Sequence, residues 1–191
     1  VLTIKALRPD LTASAAFRER LHHEVGLAAR LNHVNVAQVF DLARAGDVHY
    51  VAQEFVDGLP LASILGAVAF GQKAVTAEVA AFVCAEVCAG LAYAHGRRDE
   101  RGRPMDIVHG RITPRTVLLS KSGLVKVIDF GIGRTVTTMA LDRVDDADIR
   151  QLAPEVVRGE AADVRADIFS VGALAYLMLT GRPIYDGVSG T

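Results

Sequence analysis

Between Ala13 and Leu31 the apolar residues Phe17, Leu21, Ala28 and Leu31 recur at spacings of three, four and seven, while Arg18, Arg20, His22, His23 and Arg30 fall on other faces. That period predicts a helix with one side sunk in a core. Ahead of it, VLTIKAL is β-branched and apolar and predicts a strand. A strand opening so abruptly needs neighbours for its backbone groups, so the natural domain is expected to begin earlier. VNVAQVFDL and VHYVAQEFV predict two further strands around a turn at Ala45, Gly46 and Asp47, and Asp57-Gly58 ends the second. A short helix is expected over 59–68 and a long one from Thr76, as cap, to His95, with Glu78 in its first turn and Val79, Phe82, Val83, Val87 and Leu91 as the buried stripe. After the polar loop GRRDERGRP come two apolar runs, VLLS and LVKVIDF, around Lys121-Ser122-Gly123, a hairpin signature. Residues 131–152 read as a polar surface loop. Residues 168–179 are apolar on nearly every side and predict a helix in the middle of a domain. Strands with one helix therefore come first, over 1–57, and helices dominate over 58–191, with a cleft expected where the two parts meet.

Composition adds bounds. With 191 residues, 51% hydrophobic and 23% charged, the chain is long enough for one sizeable domain or two small lobes. Its formal net charge of −1 supplies no overall basic field for nucleic acid or an anionic membrane. Cys84 and Cys88 share a helix face, an arrangement suited to core packing and poor for a disulfide or a zinc site. No signal peptide opens the chain, and the run 168–179 is shorter than the ~20 residues a bilayer requires. The reading is a cytoplasmic domain, with no membrane segment here and no nucleic-acid partner.

The motifs then fall into an order: Lys5 in a strand, Glu24 on the next helix, QEFVDG after a strand, His109 and Pro114 in a loop, Asp129-Phe130-Gly131 after the hairpin, Ala153-Pro154-Glu155, and Asp167 opening the apolar helix. Along essentially the whole chain this set resembles the protein kinase family, the bacterial serine/threonine kinases in particular. The resemblance implies an α+β, bilobal kinase-like fold, truncated to a partial β-rich lobe (1–57, hinge at 54–57) and a partial helical lobe (58–191). It implies ATP as ligand: Lys5 on the α- and β-phosphates and paired with Glu24, adenine on the backbone of Glu54 and Val56, Leu118 as pocket floor, Gln53 at its back, Thr3 in its roof where Ala is usual, and Asp129 on Mg²⁺. His109 and Phe130 correspond to the apolar column joining the lobes, and Asp167 to the acceptor for the catalytic-loop backbone. The family's glycine-rich phosphate loop has no counterpart in the chain.

The departures gather on the chemistry. Against the usual HRD…K…N loop, VHGRITPRTVLL carries Gly110 for Arg, Arg111 for the basic Asp, Thr113 for Lys and Thr116 for the metal-binding Asn. A guanidinium has no acceptor and keeps its proton, so Arg111 cannot take a proton from a substrate hydroxyl. Thr116 offers Mg²⁺ one neutral oxygen, which weakens the metal site. Ala147, Asp148 and Gln151 stand where the family's substrate-docking segment has Gly-Thr and an aromatic. Thr135, Thr137 and Thr138 are candidate phosphorylation positions, and the remaining histidines are expected to be structural, solvated or capping.

Three readings follow. The leading one is a pseudokinase: a nucleotide-responsive regulatory or scaffold module with a protein partner. The second is an active ATP-dependent serine/threonine kinase or other nucleotide transferase, with a base drawn from Asp145, Asp146 or Asp148. The third is a nucleotide-free scaffold in which Arg111 fills the metal site by pairing with Asp129.

Overall fold

The computed structural model describes residues 1–70 and 75–185. Strand β1 (Leu2–Ala6) leads through a single turn, α1 (Pro9–Thr12), into α2 (Ala15–Ala28), then β2 (Val39–Ala45) and β3 (Val48–Glu54). These strands form an antiparallel sheet in the order β1-β3-β2, with Lys5 opposite Val51 and Leu2 opposite Glu54. Alternation along β1 turns Thr3 and Lys5 inward and leaves Leu2 and Ile4 exposed. The hairpin turn is made at Gly46, whose φ of 59° suits glycine. Val34–Ala37, expected as part of β2, instead makes isolated bridges, one of them from Val36 to Val127.

Helix α2 starts where Ser14 accepts a hydrogen bond from the Phe17 N–H at 3.3 Å, a side-chain N-cap. It buries Phe17, Leu21, Glu24, Val25 and Ala28. Of the predicted stripe, Phe17, Leu21 and Ala28 are on this face, Glu24 and Val25 join them, and Leu31 is buried just beyond the helix end.

After β4 (Gly58–Pro60) come α3 (Leu61–Phe70) and α4 (Ala77–His95). Thr76 caps α4 as expected, through its hydroxyl and the Val79 N–H. Its buried face is Ala80, Val83, Val87, Gly90, Leu91 and Ala94, whereas Val79 and Phe82 are half exposed. The expected stripe had the right period but was rotated toward bulky residues. The small residues let α4 lie close to its neighbours, and Gly90 comes within contact of the Asn35 backbone. By length and composition alone α4 reaches what a membrane crossing requires, although the run 168–179 had seemed the longest apolar stretch. Its buried face packs on α8 and β6.

Strands β5 (Val117–Ser120) and β6 (Val125–Val127) form the predicted hairpin and join β4 in a second sheet, β4-β5-β6. The stretch 131–152 departs most from expectation. It holds α5 (Ile132–Met139), a 3₁₀ turn (Leu141–Arg143) and α6 (Asp146–Ile149), and it buries Thr135, Val136, Thr137, Ala140, Val144 and Asp148. Its buried threonines are satisfied within the helix: the Thr135 hydroxyl donates to the Gly131 carbonyl at 2.7 Å and the Thr137 hydroxyl to that of Gly133 at 3.2 Å. A polar composition thus became a packed helix.

The chain continues through α7 (Pro154–Val157) to α8 (Val164–Thr180), which ends at Gly181 in the left-handed region. α8 buries Ala166, Asp167, Ser170, Val171, Ala173, Leu174 and Met178, but Ile168, Tyr176 and Leu179 are exposed among the described residues. The expectation of burial on every side is corrected to one buried face.

Candidate functional site

The loop between α4 and β5 is held from below by α8. The Asp167 carboxylate is fully buried and accepts the backbone N–H groups of His109 and Gly110, each at 2.8 Å. His95, at the end of α4, places Nε2 2.9 Å from the same carboxylate. Three elements thereby converge on one anion, which fixes where the loop begins. His109 stands at the loop's centre. Its Nε2 donates to the Ile128 carbonyl at 2.8 Å, and its Nδ1 accepts the Arg111 N–H at 3.2 Å. Those roles require the neutral ring with the proton on Nε2. Burial pushes the imidazole pKa below its ordinary value, against the pull of Asp167. The Phe130 ring meets His109 edge-on at 4.7 Å, so the expected apolar column is present at this point.

The threonines of the loop serve its shape. Thr116 Oγ1 accepts the Thr113 N–H at 2.9 Å and lies 3.0 Å from the Arg111 carbonyl and 3.1 Å from that of Thr113, so its proton has an acceptor within the loop. Thr113 Oγ1 accepts the Arg115 N–H at 3.3 Å. Both threonines are buried. The hydroxyl considered as a metal ligand is already committed to the backbone.

Arg111 donates from Nη2 to Asp148 Oδ2 at 2.6 Å. Asp148 is 2% exposed, and Arg115 adds a second guanidinium, paired with Asp145 and 3.9 Å from Asp148. The pairing of Arg111 with Asp129 considered from the sequence is therefore replaced by one with Asp148. The chain folds α6 over the loop, and Asp148 reaches Arg111 from that side.

Asp129 has another partner. Its carboxylate pairs with the Lys5 ammonium, which projects from the inward face of β1. The backbone at Asp129 has φ 71°, a left-handed conformation that is uncommon outside glycine and that Asp tolerates better than most residues. Glu24, the expected partner of Lys5, is buried and engaged elsewhere: Arg20 Nη2 lies 3.0 Å from its Oε1 and Arg134 Nη1 3.6 Å. The expected Lys5–Glu24 pair is thus corrected to Lys5–Asp129 and Glu24–Arg20/Arg134. Helix α5 packs on α2 and brings Arg134 to the carboxylate.

At the connection after β3, Val56 packs with Ala37 and Ile128, and Leu118 lies against that group. The proposed pocket floor and hinge are therefore neighbours. The Glu54 side chain accepts from the Gln38 N–H at 3.1 Å and pairs with Lys126 at 2.8 Å, and the Glu54 N–H donates to the Gln38 carbonyl at 2.8 Å, so its side chain and N–H are both engaged. Gln53 is buried, with Oε1 unpartnered.

A sequence model described as protein kinase domain matches residues 1–191. The chain belongs to the protein kinase family. It is 34% identical over 181 residues to the tyrosine-protein kinase MasK of Myxococcus xanthus, covering 94% of the chain and 28% of that protein. It is 32% identical over 196 residues to the serine/threonine-protein kinase PknB of Mycobacterium tuberculosis, covering 98% of the chain and 29% of the relative. It is 35% identical to the serine/threonine-protein kinase PksC of Streptomyces coelicolor, covering 98% and 34%. The chain therefore spans about a third of the length of these relatives or less. A crystal structure of the Mycobacterium tuberculosis PknI kinase domain superposes with a TM-score of 0.75 at 25% identity, covering 99% of this chain and 66% of that one. The kinase-like α+β fold expected from the motifs is thus the fold observed.

Within this kinase-like domain, Asp129 is the carboxylate facing Lys5, and no group of three His, Cys, Asp or Glu side chains suited to a metal occurs among the described residues. The partners of Asp148, Arg134 and His95 escaped the sequence reading, which takes Asp148 as a candidate base and His95 as the end of a helix. Each of these three side chains acts on a residue 28 or more positions away, through Arg111, the Asp106 carbonyl and Asp167 respectively, and no local pattern marks such pairs.

Proposed function

We propose that this kinase-like domain is a pseudokinase, a regulatory or scaffold module that answers to nucleotide and acts through a protein partner. The observation that carries the reading is the Arg111–Asp148 pair. The position of the family's general base holds a guanidinium whose counter-ion is buried beside it, so the group cannot accept a proton from a hydroxyl. Two of the three carboxylates that could substitute are spoken for, Asp148 by Arg111 and Asp145 by Arg115, and Asp146 is turned to solvent on the first turn of α6. A serine/threonine kinase drawing its base from this segment is accordingly the weaker reading.

Nucleotide binding is supported by the residues around the cleft. Leu118 and Val56 supply an apolar surface beside the hinge backbone, and Lys5 and Asp129 lie part-exposed at the inner end. ATP, when bound, presents phosphates to a cation and to Mg²⁺. Lys5 would take the first role and Asp129 the second, so binding must separate the two. The metal would find one carboxylate there and no Thr116 hydroxyl, which favours weak Mg²⁺ dependence.

A thermal-shift series with ATP, with and without Mg²⁺, tests this together with a radiolabel-transfer assay on a generic substrate. At 100 times Kd a ligand adds ~2.7 kcal/mol of stability. The expected result is a shift with ATP and transfer no greater than that of Lys5→Met. Transfer by the wild type that Lys5→Met abolishes overturns the pseudokinase reading, and the lack of any shift overturns the nucleotide reading.

A further inference from the structure

The polar run GRRDERGRP (96–104), between α4 and the loop that carries His109, folds into a small hairpin of its own. Arg98 and Pro104 form a β-bridge, the Asp99 N–H donates to the Arg103 carbonyl at 2.9 Å, and the Met105 N–H donates to that of Arg97 at 3.0 Å. Gly102 makes the turn at a φ of 75°. Asp99 organises the hairpin from within. Its carboxylate accepts the N–H groups of Arg101 and Arg103, each at 2.9 Å, and pairs with the Arg103 guanidinium at 2.7 Å. The foot is tied to the body of the domain: the Arg97 guanidinium lies 5.4 Å from the centre of the Tyr93 ring, and the Tyr93 hydroxyl accepts the Asn32 N–H at 3.2 Å. That tie sets the end of α2 alongside. Arg30, just past α2, lines a surface concavity of 370 Å³ with Asp99, Glu100, Arg101 and Arg103. Arg30, Arg97, Arg98, Arg101 and Arg103 outnumber Asp99 and Glu100 by three charges, on a chain whose net charge is −1. Arg30 and Arg101 are exposed and have no ion-pair partner among the described residues.

We propose that this concavity is a docking surface for an acidic segment of a protein partner, one that sets carboxylates against Arg30 and Arg101 and a basic residue against Glu100. The chemistry selects that occupant. Exposed guanidinium groups hold carboxylates through paired N–H donors. The hairpin is already ordered by Asp99, so binding has little left to order on this side. Glu100 lines the same concavity as the arginines and repels a uniformly anionic polymer or lipid surface. A peptide can answer it with a lysine, which also fixes the register of the acids around it. The inference gives the protein partner of the proposed function its chemistry and rests on that part of the reading. It requires neither nucleotide binding nor loss of phosphate transfer.

Fluorescence anisotropy of a labelled peptide of glutamate and aspartate with one central lysine tests it, on the whole chain, without nucleotide and at near-physiological salt. The wild type should bind the peptide. The double variant Arg30→Gln, Arg101→Gln should bind it at least ~10-fold more weakly, the loss of about one charge-assisted contact. Both side chains are exposed, so this variant should keep the wild-type unfolding midpoint. Asp99→Asn separates a built site from mere charge. It removes a negative charge, so charge alone would tighten binding, whereas loss of the hairpin's organiser should weaken it. The inference is overturned if the wild type does not bind the peptide or if the double variant binds it unchanged. Asp99→Asn that folds cooperatively and binds as tightly as the wild type, or more tightly, overturns it too. So does equal or tighter binding of a single-stranded oligonucleotide or of phosphatidylserine vesicles, because either would make the patch a general anion surface. The ATP shift and the transfer assay are separate measurements, and neither bears on these outcomes.

Discussion

Arg111 and Asp148 illustrate how one substitution binds another. Arg111 stands where the family's pattern has an acid and Asp148 where it has a neutral residue, and together they form an ion pair at 2.6 Å with the acid almost fully buried. Removing one partner of such a pair strands the other, at about 3–5 kcal/mol for a fully buried case. Arg111 is 22% exposed and Arg115 stands nearby, so Arg111→Ala should cost less, about 2 kcal/mol. Arg111→Asp should cost more than Arg111→Ala, since it sets two carboxylates together. Adding Asp148→Asn should return at least ~1 kcal/mol of that loss. Urea midpoints across this cycle measure the coupling, and additive effects would mean that the two side chains do not interact. The same cycle bears on the proposed function, because Asp placed at 111 should not by itself confer transfer while Asp148 stays in place.

At the scale of elements, the segment 131–152 divides the candidate phosphorylation positions by access. Thr135 and Thr137 are buried with their hydroxyls bonded inside α5, whereas Thr138 is exposed. Thr135→Glu must bury a charge without a partner and should destabilise by several kcal/mol. Thr138→Glu should change stability by less than ~0.5 kcal/mol. Denaturation midpoints separate the two, and equal effects would contradict the burial of Thr135. The segment was misread because its threonines bond the helix backbone and Arg134, Asp145 and Asp148 pair with residues of other elements: composition reports how many polar groups there are, and packing decides where they point. The stripe of α4 was misplaced for a related reason. Hydrophobic size suggested Val79 and Phe82, but close packing on the neighbouring backbone selected Ala80 and Gly90.

For the whole molecule, His109 links stability to pH. The folded protein holds this imidazole neutral by burial, so its pKa is lowered from the ordinary 6.5. Below pH 6.5 the unfolded chain takes up a proton that the folded state refuses, and folding stability falls as pH falls. One such proton corresponds to at most ~1.4 kcal/mol per pH unit, continuing until the native ring itself titrates. Above 6.5 both states are neutral and the contribution vanishes. Comparing the pH dependence of unfolding free energy in wild type and His109→Asn isolates this proton from those of the other histidines. The variant should show a shallower decline on the acid side, and identical slopes would place His109 in contact with solvent.

Much was legible in the sequence. The strand and helix periods, the 13–31 helix with its buried stripe, the β5–β6 hairpin and the ordered motif set gave the elements and the family. These depend on local spacing and on motifs whose order survives in one dimension. That Arg111 cannot accept a proton was equally legible, because it follows from what a guanidinium is. Tertiary structure alone decided the partners: Lys5 with Asp129, Glu24 with Arg134, Arg111 with Asp148, His95 with Asp167. A charged side chain in a low-dielectric interior takes the nearest opposite charge, and which charge is nearest depends on how α5 and α6 settle against α2 and the loop. That settling rests on the few ångströms of room left by Gly110, Gly131 and Gly133, a distance that only the folded chain defines.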